Sequence, residues 1–407
     1  MTSLPSALPL EGMELEPPIF ARGIPHDLFA GLRNNQPITW YPGPHHGYWC
    51  ITRHEDVLAV SKDTATFSSQ VGGVGIGDPN HHGPDMSASI VTTDPPEHKR
   101  LRQAILRPLQ AKAVNTHEPY LRATARWIVE RAVEKGEFDF SRDVARELPI
   151  RALNHVIGAP TDEVSIDRMV GWTIAALYAE DPNGGGVPAL EQAVEEIAAF
   201  GQEIVAAKRE NPGDDLLSGL AKQNPAEGGL TDTEIGQMFE ILAIAGSDST
   251  RQTLTHGMLA LVESPEQWQR LRNDRTLVPS AAEEMLRWAS VALSFGRTAT
   301  QDVELSGQVI RAGDRVVLWY ASANFDETVF TDPLRFDVGR TPNPHCAFGG
   351  RGGPHMCVGA NLAKLQICIM LEELLDHIPR LALTGPVVRL ASNMDHGIAS
   401  MPVAIVD

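Results

Sequence analysis

A chain of 407 residues, 43% of them hydrophobic, can bury a large core, which excludes disorder as its main description. Its 34 basic and 52 acidic side chains give a formal charge of −18, which argues against nucleic acid because phosphates demand basic clusters. No stretch approaches the roughly 18 consecutive apolar residues of a membrane helix, and Met1–Phe20, with three acids and several prolines, does not read as a signal peptide, so a cytoplasmic location is expected.

Short strand signals come first, at Ile38–Tyr41 and Tyr48–Ile51, followed by a loop over Val71–Asp85 rich in Gly, His and Pro. Helical patterns dominate after Asp94, with Pro119–Lys135 and Ala189–Lys208 the first long ones, and Asp181–Pro188 between them reads as a loop. The pattern Thr231-x-x-Glu234 is a capping box, and the helix it opens runs to Ser264-Pro265, about 45 Å at 1.5 Å per residue. A helix over Ser280–Ala289, strands at Gln308–Ile310 and Arg315–Leu318, and a helix over Asn361–His377 complete one mostly helical domain, 1–407, with a minor β region.

Four cysteines make no disulfide framework and match no zinc spacing; Cys50, Cys346 and Cys368 read as small buried hydrophobes. The pairs His45-His46 and His81-His82 lack partners at metal-ligand spacing and read as solvated. Cys357 differs. It lies in Phe348-Gly-Gly-Arg-Gly-Gly-Pro-His-Met-Cys-Val-Gly359, just before the helix Asn361–His377. A helix N-terminus favours an anion there, so a low thiol pKa is expected, and the glycines permit the close approach of a flat metal macrocycle. On these residues alone, a glycine loop with an incidental cysteine fits equally well.

Two further features need an account. Ala245-Gly-Ser-Asp-Ser-Thr250 sits in the middle of the long helix, where glycine costs up to about 1 kcal/mol against alanine and an acid with two hydroxyls costs more if unsatisfied. A polar kink at a helix contact is the alternative reading. Glu284-Met-Leu-Arg287 pairs at i, i+3, which by itself describes many solvated helix faces.

The Cys357 segment resembles the haem-binding signature of the cytochrome P450 superfamily, Phe-Gly-x-Gly-x-His-x-Cys-x-Gly. Gly353, His355, Cys357 and Gly359 fall on matching positions, and Phe348 stands two residues farther from the cysteine than the commonest spacing. The resemblance spans nearly the whole chain. It implies the triangular, mainly α haem-thiolate fold and haem b (iron protoporphyrin IX), with Cys357 as the iron ligand and Phe348 and Gly359 beside it. Asp94-Pro-Pro-Glu-His98-Lys-Arg-Leu-Arg102 resembles the family's propionate-clamping helix, so His98 and Arg102, joined by Arg297 and His355, are the implied propionate partners. On the distal helix it implies room for O2 at Gly246 and proton delivery by Asp248 and Ser249, the latter in place of the usual threonine, with Thr250 following. Glu284 and Arg287 become a buried pair completed by Arg340.

The resemblance further implies a monooxygenase that hydroxylates a terpenoid, steroid or branched lipid with O2 and electrons from a ferredoxin or flavodoxin, acting as a monomer. Arg351, Lys364, Lys99 and Arg100 are candidates for the patch that meets an acidic electron donor. By family position Trp172, Tyr178, Ala243, Ala292, Leu293, Phe295, Ile398 and Ala399 line the pocket. A peroxygenase driven by H2O2 and a haem-based sensor are the rival readings, and the Asp248–Ser249 pair argues against both.

Overall fold

The computed structural model describes residues 14–44, 46–76, 89–179, 181–182 and 185–407. His45, His81, His82 and the predicted loop from residue 77 to 85 lie outside them.

The long helix Asp232–Glu263 is the spine of the molecule. Thr231 caps it as the sequence requires: the Glu234 N–H donates to the Thr231 hydroxyl at 3.3 Å, and the Thr231 N–H donates to the Glu234 carboxylate at 2.7 Å. It ends at Ser264 because Pro265 opens the next helix, Pro265–Asn273.

Two hydrophobic clusters claim the two halves of this spine. Ile235, Met238, Phe239 and Leu242 pack with the helices Glu147–Ile157, Glu163–Leu177 and Gly186–Glu210. Leu254, Met258, Leu259 and Leu261 pack with Glu118–Lys135, Val278–Ala289 and Ala360–His377. Between the two clusters, Ala245 and Ser249 are exposed although they sit mid-helix in the centre of the chain's longest element. One turn apart on one face, they mark a seam that neither core fills.

The largest sheet has five strands, in spatial order Ile38–Tyr41, Tyr48–Ile51, Arg315–Trp319, Ser294–Ala299, Phe67–Ser68, with only the Tyr48–Ile51 and Arg315–Trp319 pair parallel; a second sheet joins Glu137–Asp139, Pro402–Val406 and Arg380–Leu383. The predicted strands flanking Ala312-Gly313-Asp314 do not pair with each other: Gln308–Ile310 pairs with Val303–Leu305 in a separate hairpin. The predicted Asp181–Pro188 loop is shorter than expected, since the helix starts at Gly186, with Pro188 tolerated in its first turn. Helices also precede Asp94, at His26–Asn35 and His54–Lys62.

Candidate active site

The Cys357 loop is closed by its own backbone. The Cys357 N–H donates to the Phe348 carbonyl at 3.0 Å, and the Met356 N–H to that of Gly353 at 3.1 Å. Gly349, Gly350 and Gly352 take φ of 82°, 86° and 84°, a region open to glycine, so the two extra residues bulge out and Phe348 still reaches the cysteine. A Cβ on Gly353 would stand 2.5 Å from the Ser61 carbonyl, so this position has no room for a side chain. The Phe348 ring packs on the core beneath the Lys364 ammonium, 5.5 Å from its centroid.

The Cys357 side chain is crowded by protein and yet exposed, which places its sulfur on an internal opening. Burial pushes the thiol above its ordinary value, while the Gly359 N–H, the charge of Arg102 and the Ala360 N–H pull it down. The expected low thiol pKa is therefore not met. The helix-terminal N–H groups do face the sulfur, but lost hydration outweighs them. A cation on the open side would complete the site, because a metal deprotonates a coordinating thiol outright.

Around this opening lies a set of donors that lack an anion. The His98 and His355 rings are 4.2 Å apart, and buried Nε2 of His98 has no hydrogen-bond partner among the described residues. Arg102 makes no hydrogen bond or ion pair among the described residues, and burial holds its guanidinium below the usual range against the pull of Cys357. Arg297, 3% exposed, bonds through Nη1 to the Gly296 carbonyl at 2.7 Å and meets no carboxylate within bonding distance among the described residues. Burial lowers it as well, against the opposing influence of Tyr320 and Asp94. Asp94 accepts instead from the Ser68 hydroxyl and, at 2.9 Å, from the Ser69 N–H.

His355 is the exception within the set. Its Nδ1 lies 3.2 Å from the Ile90 carbonyl, which can only accept, so Nδ1 carries the proton and Nε2 accepts from the Ser69 hydroxyl at 3.3 Å. Burial, with Arg297 and His98 nearby, pushes its pKa down to about 3. Buried guanidiniums and an orphaned imidazole nitrogen are costly without an anion. A planar ligand with two carboxylates and a metal facing Cys357 satisfies all of them, so the residues fit haem.

On the spine, the acid and the alcohol point in different directions. Ser249 donates to the Ala245 carbonyl at 2.9 Å on the seam face. Asp248, one residue and 100° away, accepts from the Tyr178 hydroxyl at 2.5 Å and from Arg251 Nε at 2.6 Å. Gln252 extends the network, donating to the Tyr178 oxygen at 3.2 Å and accepting from the Ile398 N–H at 2.8 Å. Gly246 does not open the seam as expected: a Cβ there would meet Leu153 at 3.1 Å, so this glycine serves packing against the helix Glu147–Ile157. Thr250 is likewise buried.

Several predicted pocket residues are packed elsewhere. Trp172 bonds Glu196 at 2.5 Å and its ring lies beside Arg168 and Phe200, between two helices. Leu293 and Ile398 are fully buried, whereas Ala292, Phe295 and Ala399 keep partial exposure. Tyr178, expected as a lining residue, is a partner of Asp248; Arg251 joins the same network at the i, i+3 spacing of a helical pair, which sequence reading missed, and Gln252 joins it with no signal in sequence spacing.

Of the predicted basic patch, Arg351 is exposed and donates to the Asn343 carbonyl at 2.9 Å, while Lys364 pairs with Glu283 at 2.5 Å. Arg100 is tied to Glu97 and Glu234, at the start of the spine, and so does not contribute a free charge. Lys99 is exposed. Lys62 stands beside Gly352, and Arg107 and Lys112 flank Leu109, whose carbonyl accepts from Asn361 at the start of the helix after Cys357. All three are exposed with no acidic partner among the described residues, and sequence reading missed them.

Glu284 and Arg287 are both fully buried and doubly bonded at 2.8 Å, with Arg340 Nε 3.1 Å from each carboxylate oxygen. Asn343 Nδ2 and the Asp337 N–H each add a bond at 3.1 Å.

A family model described as Cytochrome P450 matches residues 188–378. A steroid C26-monooxygenase of Mycolicibacterium smegmatis is 36% identical over 387 residues, covering 92% of this chain and 89% of that protein. This chain belongs to the cytochrome P450 family. A methyl-branched lipid omega-hydroxylase of Mycobacterium tuberculosis is also 36% identical, over 92% of the P450 described here and 90% of its relative. Among solved structures, a Mycobacterium marinum cytochrome P450 in complex with pseudoionone superposes with a TM-score of 0.91 at 34% identity, covering 98% of this chain and all of that one. The protein is thus a haem-binding cytochrome P450 monooxygenase with the family's mainly α fold. Among the described residues no helix is long and apolar enough to cross a membrane.

Proposed function

We propose that this P450 hydroxylates a steroid or methyl-branched lipid, with Cys357 as the iron ligand and a ferredoxin or flavodoxin as electron donor. The observation that carries the haem assignment is the opening at Cys357, ringed by His98, Arg102 and Arg297, which meet no anion among the described residues. The relatives named for steroid and branched-lipid oxidation support the substrate class, as do the apolar Ala245, Ala292, Phe295 and Ala399 that keep access to the interior.

When bound, haem supplies the redox and O2 chemistry, tuned by its axial ligand. The chain's own residues do the rest. The Gly359 and Ala360 N–H groups hold negative charge at the Cys357 sulfur. Arg102, Arg297 and His98 hold the propionates. Ser249 places a hydroxyl on the seam, and Asp248, kept in place by Tyr178 and Arg251, is the acid one step behind it. Because Asp248 and Ser249 do not touch, a proton passing between them needs a bridging water or a rotation of either side chain. Lys62, Arg107, Lys112 and Arg351 form the basic face around the loop on an otherwise acidic protein, which would steer an acidic donor.

The test is spectral and catalytic together. The reduced, carbon monoxide-treated protein should show the thiolate-type Soret band, lost in Cys357→Ala, and a steroid or branched lipid should convert the substrate-free Soret band to its high-spin position and be hydroxylated with a surrogate ferredoxin system. Retention of the thiolate band in Cys357→Ala would refute the ligand. Turnover supported by H2O2 but not by reduced ferredoxin would refute the electron-transfer reading.

A further inference from the structure

Asp395 carries a carboxyl group for which the network around Asp248 has no use. Its backbone is firmly placed: the Asp395 N–H donates to the Ser392 hydroxyl at 3.1 Å, and the residue bridges to Ala292. On either side, the Leu293 N–H donates to the Met394 carbonyl at 2.8 Å and the His396 N–H to that of Val291 at 2.7 Å. The carboxyl itself makes no hydrogen bond or ion pair among the described residues.

Its surroundings are unusual for an unpaired acid. It faces Asp248 and Tyr178, and the fold encloses it, yet it keeps partial accessibility while His396, Gly397 and Ile398 beside it are buried. An enclosed side chain that stays accessible has open space beside it, and the backbone bridge sets partly exposed Ala292 next to this one. Apolar pockets fix the orientation of their ligands with a few polar groups of this kind.

We propose that Asp395 orients the substrate, its carboxyl group hydrogen-bonding an uncharged carbonyl or hydroxyl oxygen of the lipophile. The inference rests on the reading of this protein as a hydroxylase of lipophiles. Burial and the charge of Asp248 push the Asp395 carboxyl up to about 7, so near neutral pH it is available as a donor. Of the groups around it, Tyr178 donates to Asp248, Asp248 is paired with Arg251, and the chain neighbour His396 has its Nδ1 2.8 Å from the Ala289 carbonyl.

The test uses the haem-loaded protein and two probes, a long-chain 2-alkanone and the n-alkane of equal length, titrated by the spin-state shift at pH 6 and pH 8. The wild type should prefer the ketone and bind it about three- to tenfold more weakly at pH 8. Asp395→Asn should keep the preference and lose its pH dependence. Asp395→Leu should bind the alkane at least as well and lose the ketone preference by a similar factor. A leucine variant that still prefers the ketone, or an asparagine variant with the wild-type pH dependence, would overturn the role of Asp395 while leaving the lipophile reading intact. A wild type with an intact thiolate band whose spin state neither probe shifts would overturn both.

Discussion

Glu284→Gln is the substitution whose cost the structure determines most directly. The carboxylate is fully buried and accepts from Arg287 Nε and Nη2, Arg340 Nε, Asn343 Nδ2 and the Asp337 N–H. The amide keeps the volume but removes the charge and replaces one acceptor with a donor that faces guanidinium N–H groups. Arg287, also fully buried and ringed by Trp288, Phe325 and Phe330, is left uncompensated. Breaking a buried ion pair from one side costs about 3–5 kcal/mol. With an unfolding entropy of about 2.1 cal/mol/K per residue, a chain of this length should lose roughly 4–6 °C in Tm. Circular dichroism melts at a fixed scan rate measure it, with Glu118→Gln as the control. Glu118 pairs with Arg122 at 2.7 Å on the surface, where such pairs contribute only about 0–1 kcal/mol. If both variants melt within about 1 °C of wild type, the buried pair does not stabilise the fold and this reasoning fails.

Tyr178→Phe removes the hydroxyl that donates to Asp248 and accepts from Gln252. Product formed per reducing equivalent should fall about threefold to tenfold with little change in the ligand-induced spin shift, and unchanged coupling would show the tyrosine to be mere packing. Gly353→Ala should cut haem content sharply, because its Cβ meets the Ser61 carbonyl, whereas wild-type content measured by pyridine haemochrome would contradict that geometry. Glu240, buried with Oε1 unpartnered, has its pKa raised to about 7 by burial from an ordinary 4.5. The unfolded chain therefore loses this proton first, and stability falls as pH rises from 4.5 towards 7. Glu240→Gln should stabilise the protein by on the order of 1–3 kcal/mol at pH 8 and by little at pH 4, and urea midpoints at the two pH values decide it.

Local signals were legible where one residue or one short spacing carries the physics. The capping box at Thr231 and Glu234 formed as read, because both halves of the motif lie within a single turn. Glu284, Arg287 and Arg340 came together, since an i, i+3 pair buried without a third partner would be too costly to leave. The strand Ser294–Ala299 was not legible. It lies inside the sheet, every residue but Phe295 is buried, and no alternation survives. Its Gly296 is demanded by neighbours distant in sequence, the Gly75 carbonyl and the Arg315 guanidinium, which a Cβ would meet at 2.4 and 2.2 Å. Gly246 was read as room for a ligand and proved to be room for Leu153, a distinction that depends on which neighbour lies over that face.

The chain's chemistry, a cysteine in a glycine turn before a helix and an acid beside an alcohol in a long apolar helix, was determined by the sequence alone, because covalent order sets each group within a turn of its backbone. Which groups share a space was decided only by tertiary packing. The spine's 100° step turns Asp248 towards Tyr178 and Ser249 towards the seam, burial outweighs the helix terminus at the Cys357 thiol, and the unpaired carboxyl of Asp395 arrives from more than a hundred residues away. Hydration lost or kept at each atom settles these outcomes, and it depends on every segment that packs around the atom.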